Sequence, residues 1–316
     1  MNINEFNQEF CDALQEAIAP EGGRLQAISV PKNNELLQTT TIRYGDDPVG
    51  IVVYPDQYYE DYKEGAPMTD IISNIKNNVL TADKPNFALE SINREAAPDH
   101  LRSAIVGYDK NREWLQDIPH EKISDDMAVF AKWHIGDFAS IKVNNQMLSL
   151  MQMTKEELLQ MAKTNTAANM DYKSMDEVMK DIMMSNGMGE ELANAMMMES
   201  GGVPMHVLST KDGIDGAALI ADSKVLKQIH EQVGEDFYIL PSSIHEVIIL
   251  LKSDTSGDVQ ALKDMVTMIN GTEVPLHDQL TDNLYEFDGH ELTLAGITEN
   301  LKVEVPGISK GITHRR

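Results

Sequence analysis

Cysteine occurs once in the 316 residues, at Cys11. No disulfide can close within the chain and no cysteine metal cluster can form, a pattern that fits a reducing compartment. Cys11 sits beside Phe10 on an apolar stripe, where a small packed hydrophobe is the favoured reading and a reactive thiol the other. Long apolar runs are missing too: none approaches the roughly 18 uncharged residues that cross a bilayer. The opening MNINEFNQEFCDALQEAI places Glu5, Glu9 and Asp12 where a signal peptide would be basic and then purely apolar, so a cytoplasmic protein is expected.

Positive charge is scarce. Against 51 acidic side chains stand 26 basic ones, for a net charge of -25, and the excess is spread over both halves of the chain. Binding a phosphate backbone or an anionic lipid surface depends on Lys and Arg displacing counterions, so neither nucleic acid nor membrane is an expected partner. A cationic partner, or plain solubility, stays open. Familiar catalytic signatures are also absent. The sequence has no GxxxxGK[ST] loop, no GxGxxG after a strand, no GxSxG elbow and no calcium loop, and no cofactor is expected.

What is present is a length and an apolar fraction (42%) suited to one large or two ordinary globular domains. The stripe Ile3, Phe6, Phe10, Leu14, Ile18 predicts a helix over 3–18, stopped by Pro20 and Gly22-Gly23. RLQAISVPKNNELLQTTTIRY reads as two strands reversing at Lys32-Asn33-Asn34, and PVGIVVYP as a third. The Asn pair is read as the source of positive φ in that turn. Tyr58, Tyr59 and Tyr62 suit packing more than ligand stacking. DDMAVFAKWHI and FASIKVNN are expected to pair across Gly136-Asp137. Two capping boxes, Thr154 to Glu157 and Ser174 to Glu177, predict helix starts.

Further along, MHVLST and GAALIAD are expected as strands, SKVLKQIHEQVG as a helix ending at Gly234, and FYIL and HEVIILL as strands. SGDVQALKDMVTMING suits a helix, and LYEFDGHELTLA a hairpin turning at Asp288-Gly289. GISKGITHRR reads as a frayed tail. The sum is an α+β fold: mixed, largely antiparallel sheets with packed helices and a Met-rich helical segment. The break at Gly201-Gly202 and Pro204 divides 1–200 from 201–316, or interrupts one continuous domain.

Two features invite function. Of 19 methionines, 14 fall between Met147 and Met205. Flexible, polarizable thioethers serve either as a loosely specified core or as an adaptable groove for a protein or peptide partner. The other feature is FYILPSSIHEVIIL. Ser242, Ser243, His245 and Glu246 are the candidate catalytic residues, as nucleophile and base of a hydrolase-like enzyme. Four His-Glu pairs occur, yet the second His of a zincin HExxH is replaced by Ser124, Gly234, Ile249 and Leu294, so no metal site is expected. On a strand His245 and Glu246 would point to opposite faces, while Ser243 would share the His245 side. Turn-forming hydroxyls with a polar rim are the plainer reading.

The opening strands with YYEDYKEG, the segments VGYDKNREWLQDIPHEKISDDMAVFA and ASIKVNNQMLSLMQMTKEELLQMAKTNT, and above all MHVLSTKDGIDGAALIADSKVLKQIHEQVGEDFYILPSSIHEVIIL carry a resemblance. They are similar to a family of uncharacterised bacterial proteins, a domain of unknown function abundant in anaerobic gut Firmicutes. The resemblance implies relatives and no activity. A non-enzymatic cytoplasmic binding or interaction protein is therefore the expected function, with the hydrolase as the alternative.

Overall fold

The computed structural model of the chain describes residues 1–45, 50–79, 91–135, 139–200, 204–255 and 257–296. Helix α1 (Ile3–Ile18) opens with a capping box, in which Asn2 accepts the Glu5 N–H and the Glu5 carboxylate accepts the Asn2 N–H. Its stripe Phe6, Phe10, Leu14 and Ile18 is fully buried. It packs on an antiparallel sheet of β1 (Gly23–Lys32), β2 (Glu35–Tyr44) and β3 (Ile51–Val53). Helices α2 (Tyr59–Lys63) and α3 (Met68–Asn74) close the cluster. The rings of Tyr58, Tyr59 and Tyr62 lie 5.2–5.5 Å from Phe6 and Phe10, so these tyrosines seat the segment on α1.

A second sheet is built round one long strand. Helix α4 (Ala97–His100) leads into β4 (Leu101–Gly107), then α5 (Tyr108–Leu115), β5 (His120–Lys122), β6 (Met127–Ile135) and β7 (Ala139–Lys142). β6 pairs antiparallel with β4, β5 and β7. Trp133, 1% exposed, packs with Met147 and Met151 of α6 (Asn145–Met151), Leu158 of α7 (Lys155–Ala168) and Met153 between them. The early methionines are therefore core. The capping boxes predicted at Thr154 and Ser174 both form.

β8 (Met170–Ser174) follows α7, then α8 (Met175–Ser185), α9 (Glu190–Ser200) and β9 (His206–Thr210). After α10 (Ser223–Val233) come β10 (Phe237–Leu240), β11 (Val247–Leu251), α11 (Val259–Thr272), β12 (Tyr285–Phe287) and β13 (Leu292–Leu294). The third sheet is antiparallel in the order β13-β12-β10-β11-β9-β8. Alternate residues of its central strands serve two cores. Phe237, Ile239, Val247 and Ile249 meet α10 through Val225, Leu226 and Ile229, while Tyr238, Leu240 and Leu250 meet α11 through Leu262 and Val266. Cover on both faces explains why FYIL is apolar at every position. The fold is α+β, and among the described residues no helix is long and apolar enough to cross a membrane.

Two elements depart from the sequence reading. GAALIAD is not a strand: Gly216–Ala221 forms a 3₁₀ helix entered through Asp215 at φ 55. A Cβ on Gly216 would collide with the His245 carbonyl and with Ser209, so the chain tucks under the β10–β11 connection where only glycine fits. β8 is the other departure, a five-residue strand between two helices whose alternation amounts to Met170 and Tyr172 alone, too short a pattern to read. It carries residues before Gly201 into the sheet of β9 to β13. The turn at Gly136-Asp137, the break at Gly201-Gly202 and the tail GISKGITHRR lie outside the described residues.

Candidate functional site

The segment Pro241–Glu246 joins β10 to β11 and is not itself strand, so pleat alternation does not govern His245 and Glu246. It is laced instead to the stretch before β12. Leu280 N–H donates to the Ser242 carbonyl (3.0 Å), Ile244 N–H donates to the Asp278 carbonyl (2.8 Å), and Ser243 bridges Gln279. On the other side Ser209 Oγ donates to the His245 carbonyl at 2.8 Å.

This lacing fixes the His245 ring between two groups. Nε2 lies 3.2 Å from Asp278 Oδ1, and Nδ1 accepts the Asp215 N–H at 3.3 Å. The proton on Nε2 therefore faces the carboxylate, and Nδ1 is the acceptor. Asp278 is an orienting acid 33 residues away in sequence, which no local pattern announces. Ser243 is buried, and its Oγ accepts the His245 backbone N–H at 3.0 Å. That is the turn-closing role of a hydroxyl, and it directs Ser243 at the main chain and not at the imidazole. The Ser242 side chain has no polar contact among the described residues, and Glu246 shares no partner with His245.

A buried ion pair adjoins the ring. Asp215, 3% exposed, binds Lys132 Nζ of β6 at 2.6 and 2.8 Å. Two residues along the same face of β6 is His134, whose Nε2 is buried without a hydrogen-bond partner. Burial pulls His134 below the ordinary histidine value; Asp215 and Asp212 oppose this, and Lys132 and Arg102 reinforce it. Among the described residues no group of three or more His, Cys, Asp or Glu could hold a metal ion.

The neighbouring polar network also ties the first sheet to this site. Asn34 takes φ 62, as the turn required, but both asparagines do more. Asn33 and Asn34 donate to the Gln279 carbonyl at 2.8 and 2.7 Å, beside Asp278. Asn111 of α5, fully buried, donates to Asn33 Oδ1, Asn34 Oδ1 and the Gly107 carbonyl. The β1–β2 tip is thus docked on the segment that positions His245.

The second candidate surface is the α8–α9 hairpin, which flanks β8 at the edge of the third sheet. α8 has no buried residue. Met179 and Ile182, 41% and 50% exposed, share one face of α8, and Leu192 and Met196, 58% and 44% exposed, share one face of α9. Six acidic side chains and one lysine lie between 175 and 200, and that lysine, Lys180, is paired with Glu190 at 3.0 Å. Cys11 lies half-buried on the α1 cluster, where burial, then Asp12, pushes its thiol up and away from reactivity.

Among curated proteins and solved structures none matches the chain. The model of a family of unknown function, DUF5688, matches residues 3–289. The chain belongs to that family, DUF5688, whose span covers the first two sheets and every strand of the third except β13.

Proposed function

We propose that the protein is an interaction module that takes a basic amphipathic helix of a protein or peptide partner on the α8–α9 hairpin. The observation that carries this reading is an apolar pair left open on each helix, Met179 with Ile182 and Leu192 with Met196, set in acidic sequence. Burying such side chains against a partner gains roughly 25 cal/mol per Å² of apolar surface, before the cost of association. Methionine adapts to partners of differing shape. The acids around the stripes, their one lysine already paired, favour a cationic helix and speed its approach.

The test is a titration with a synthetic Leu/Lys amphipathic helical peptide and a scrambled peptide of equal charge. Binding of the amphipathic peptide, weakened about tenfold or more by Met179→Gln with Met196→Gln, is the expected result, since two buried apolar contacts are lost. Equal binding of the scrambled peptide reduces the effect to net charge and contradicts the proposal.

One observation supports the hydrolase as a second reading: Asp278 supplies His245 with an orienting acid. That reading requires the His245 ring to leave the Asp215 N–H and reach Ser242 or Ser243. Labelling of the intact chain by a serine-reactive fluorophosphonate, lost in Ser242→Ala or Ser243→Ala, would support it; absence of labelling would end it.

A further inference from the structure

A cavity of about 210 Å³ lies between the first turn of α5 and the segment that enters β12. Gly107, Tyr108, Asp109 and Lys110 form one part of its wall, and no side chain caps the start of that helix. The Tyr108 N–H donates to the Asp126 carbonyl, whereas the N–H groups of Asp109 and Lys110 have no hydrogen-bond partner among the described residues. Free amides at the positive end of a helix dipole suit a carboxylate.

Another part of the wall is short of a donor. Asn270, near the end of α11, lines the cavity and is 5% exposed. Its Nδ2 donates to the Thr281 carbonyl at 3.1 Å and to Asp282 Oδ1 at 2.6 Å. Those two bonds fix which way the amide faces and leave Oδ1 buried with no partner, although buried side-chain acceptors are nearly always satisfied. Asp282, exposed at the same wall, adds a carboxylate, while that of Asp126 is already met by four donors.

We infer that this cavity binds a small polar α-amino acid as its zwitterion, with the carboxylate on the Asp109 and Lys110 amides and the ammonium on Asn270 Oδ1 and Asp282. The helix start and the orphaned oxygen are separate deficits of opposite sign. An inorganic anion would leave Asn270 Oδ1 unpaired and face the Asp282 charge; a simple amine would leave the two amides free. An α-amino acid carries the three donors of an ammonium and the acceptors of a carboxylate on one carbon, so a single molecule answers both. The small volume and the polar neighbours Thr281 and Asn283 favour a short polar side chain. No residue of the α8–α9 hairpin lines the cavity, so the site is independent of the partner surface.

Calorimetric titration of the intact chain with the standard L-amino acids, one at a time, tests this. A short polar amino acid is expected to bind, and its N-acetyl and carboxamide derivatives, each lacking one charge, should bind at least about tenfold more weakly. Asp282→Asn, an exposed change that keeps an acceptor for Asn270 Nδ2, should weaken the amino acid about fivefold while leaving the urea midpoint in place. No binding by any of them at up to about 10 mM, or an affinity unchanged by blocking either end, overturns the inference.

Discussion

Asp126 accepts hydrogen bonds from the hydroxyls of Ser124, Thr281 and Tyr285 and from Asn283 Nδ2, pinning the start of β6 to the segment entering β12. Burial alone would raise its carboxyl; the bonds from Thr281, Tyr285, Asn283 and Ser124 reverse this and leave it below the usual carboxylate value. Asp126→Ala takes the acceptor from Thr281 and Asn283 and leaves the Tyr285 hydroxyl, itself pushed up by burial and by Asp126, with Ser124 alone, and should cost about 3 kcal/mol in urea unfolding. A loss within about 0.5 kcal/mol would show that the network is dispensable. His134 titrates with the same sign. Its folded value is depressed, so the unfolded chain binds the proton first and stability falls as pH drops through about 6.5 toward the folded value. His134→Gln should flatten that fall, as read from urea midpoints measured on either side of it. At this scale the sequence was a poor guide. The residues around His245 contain a hydroxyl, an imidazole and a carboxylate, yet its partners Asp278 and Asp215 come from loops distant in sequence.

Elements were far more legible where periodicity and capping agree. Helix α1 ends at the predicted Ile18, α7 and α8 begin at their capping boxes, and α10 starts at Asp222 and stops at Gly234 with φ 76. Failures arose where tertiary contact overrode local signal. GAALIA has the composition of a strand but must turn beneath His245, and β8 draws its order from pairing with β9 more than from its own residues. The β1–β2 hairpin shows both sides. Its reversal at Asn33-Asn34 was readable, whereas its docking through Asn111 was not, because one asparagine in α5 satisfies two others and the Trp114 indole N–H. Asn111→Ala should remove about 2–4 kcal/mol by leaving those groups buried and unpaired. It should also speed hydrogen exchange along β1 and β2 while sparing β10. Uniform acceleration across all three sheets would mean that the hairpin is not a separately held unit.

The whole molecule carries its acidity through both halves, and the three sheets meet where the hairpin tip, the Lys132–Asp215 pair and the His245 ring adjoin. Composition made the acidity and the α+β class readable. It could not show how the methionines divide: those near Trp133 are buried in the second core, while Met179, Met184 and Met196 stand open on the hairpin. That division is a property of the assembled sheets, since α8 rests on β8 and β9 with α9 as its main helical neighbour. The central claim is that this open face is where the protein meets its partner. Hydrogen exchange of the intact chain with and without a Leu/Lys amphipathic helical peptide tests it most directly. The account predicts slowed exchange across residues 175–200 with β10 and β11 unchanged; protection confined to other acidic surfaces, or none anywhere, would contradict it.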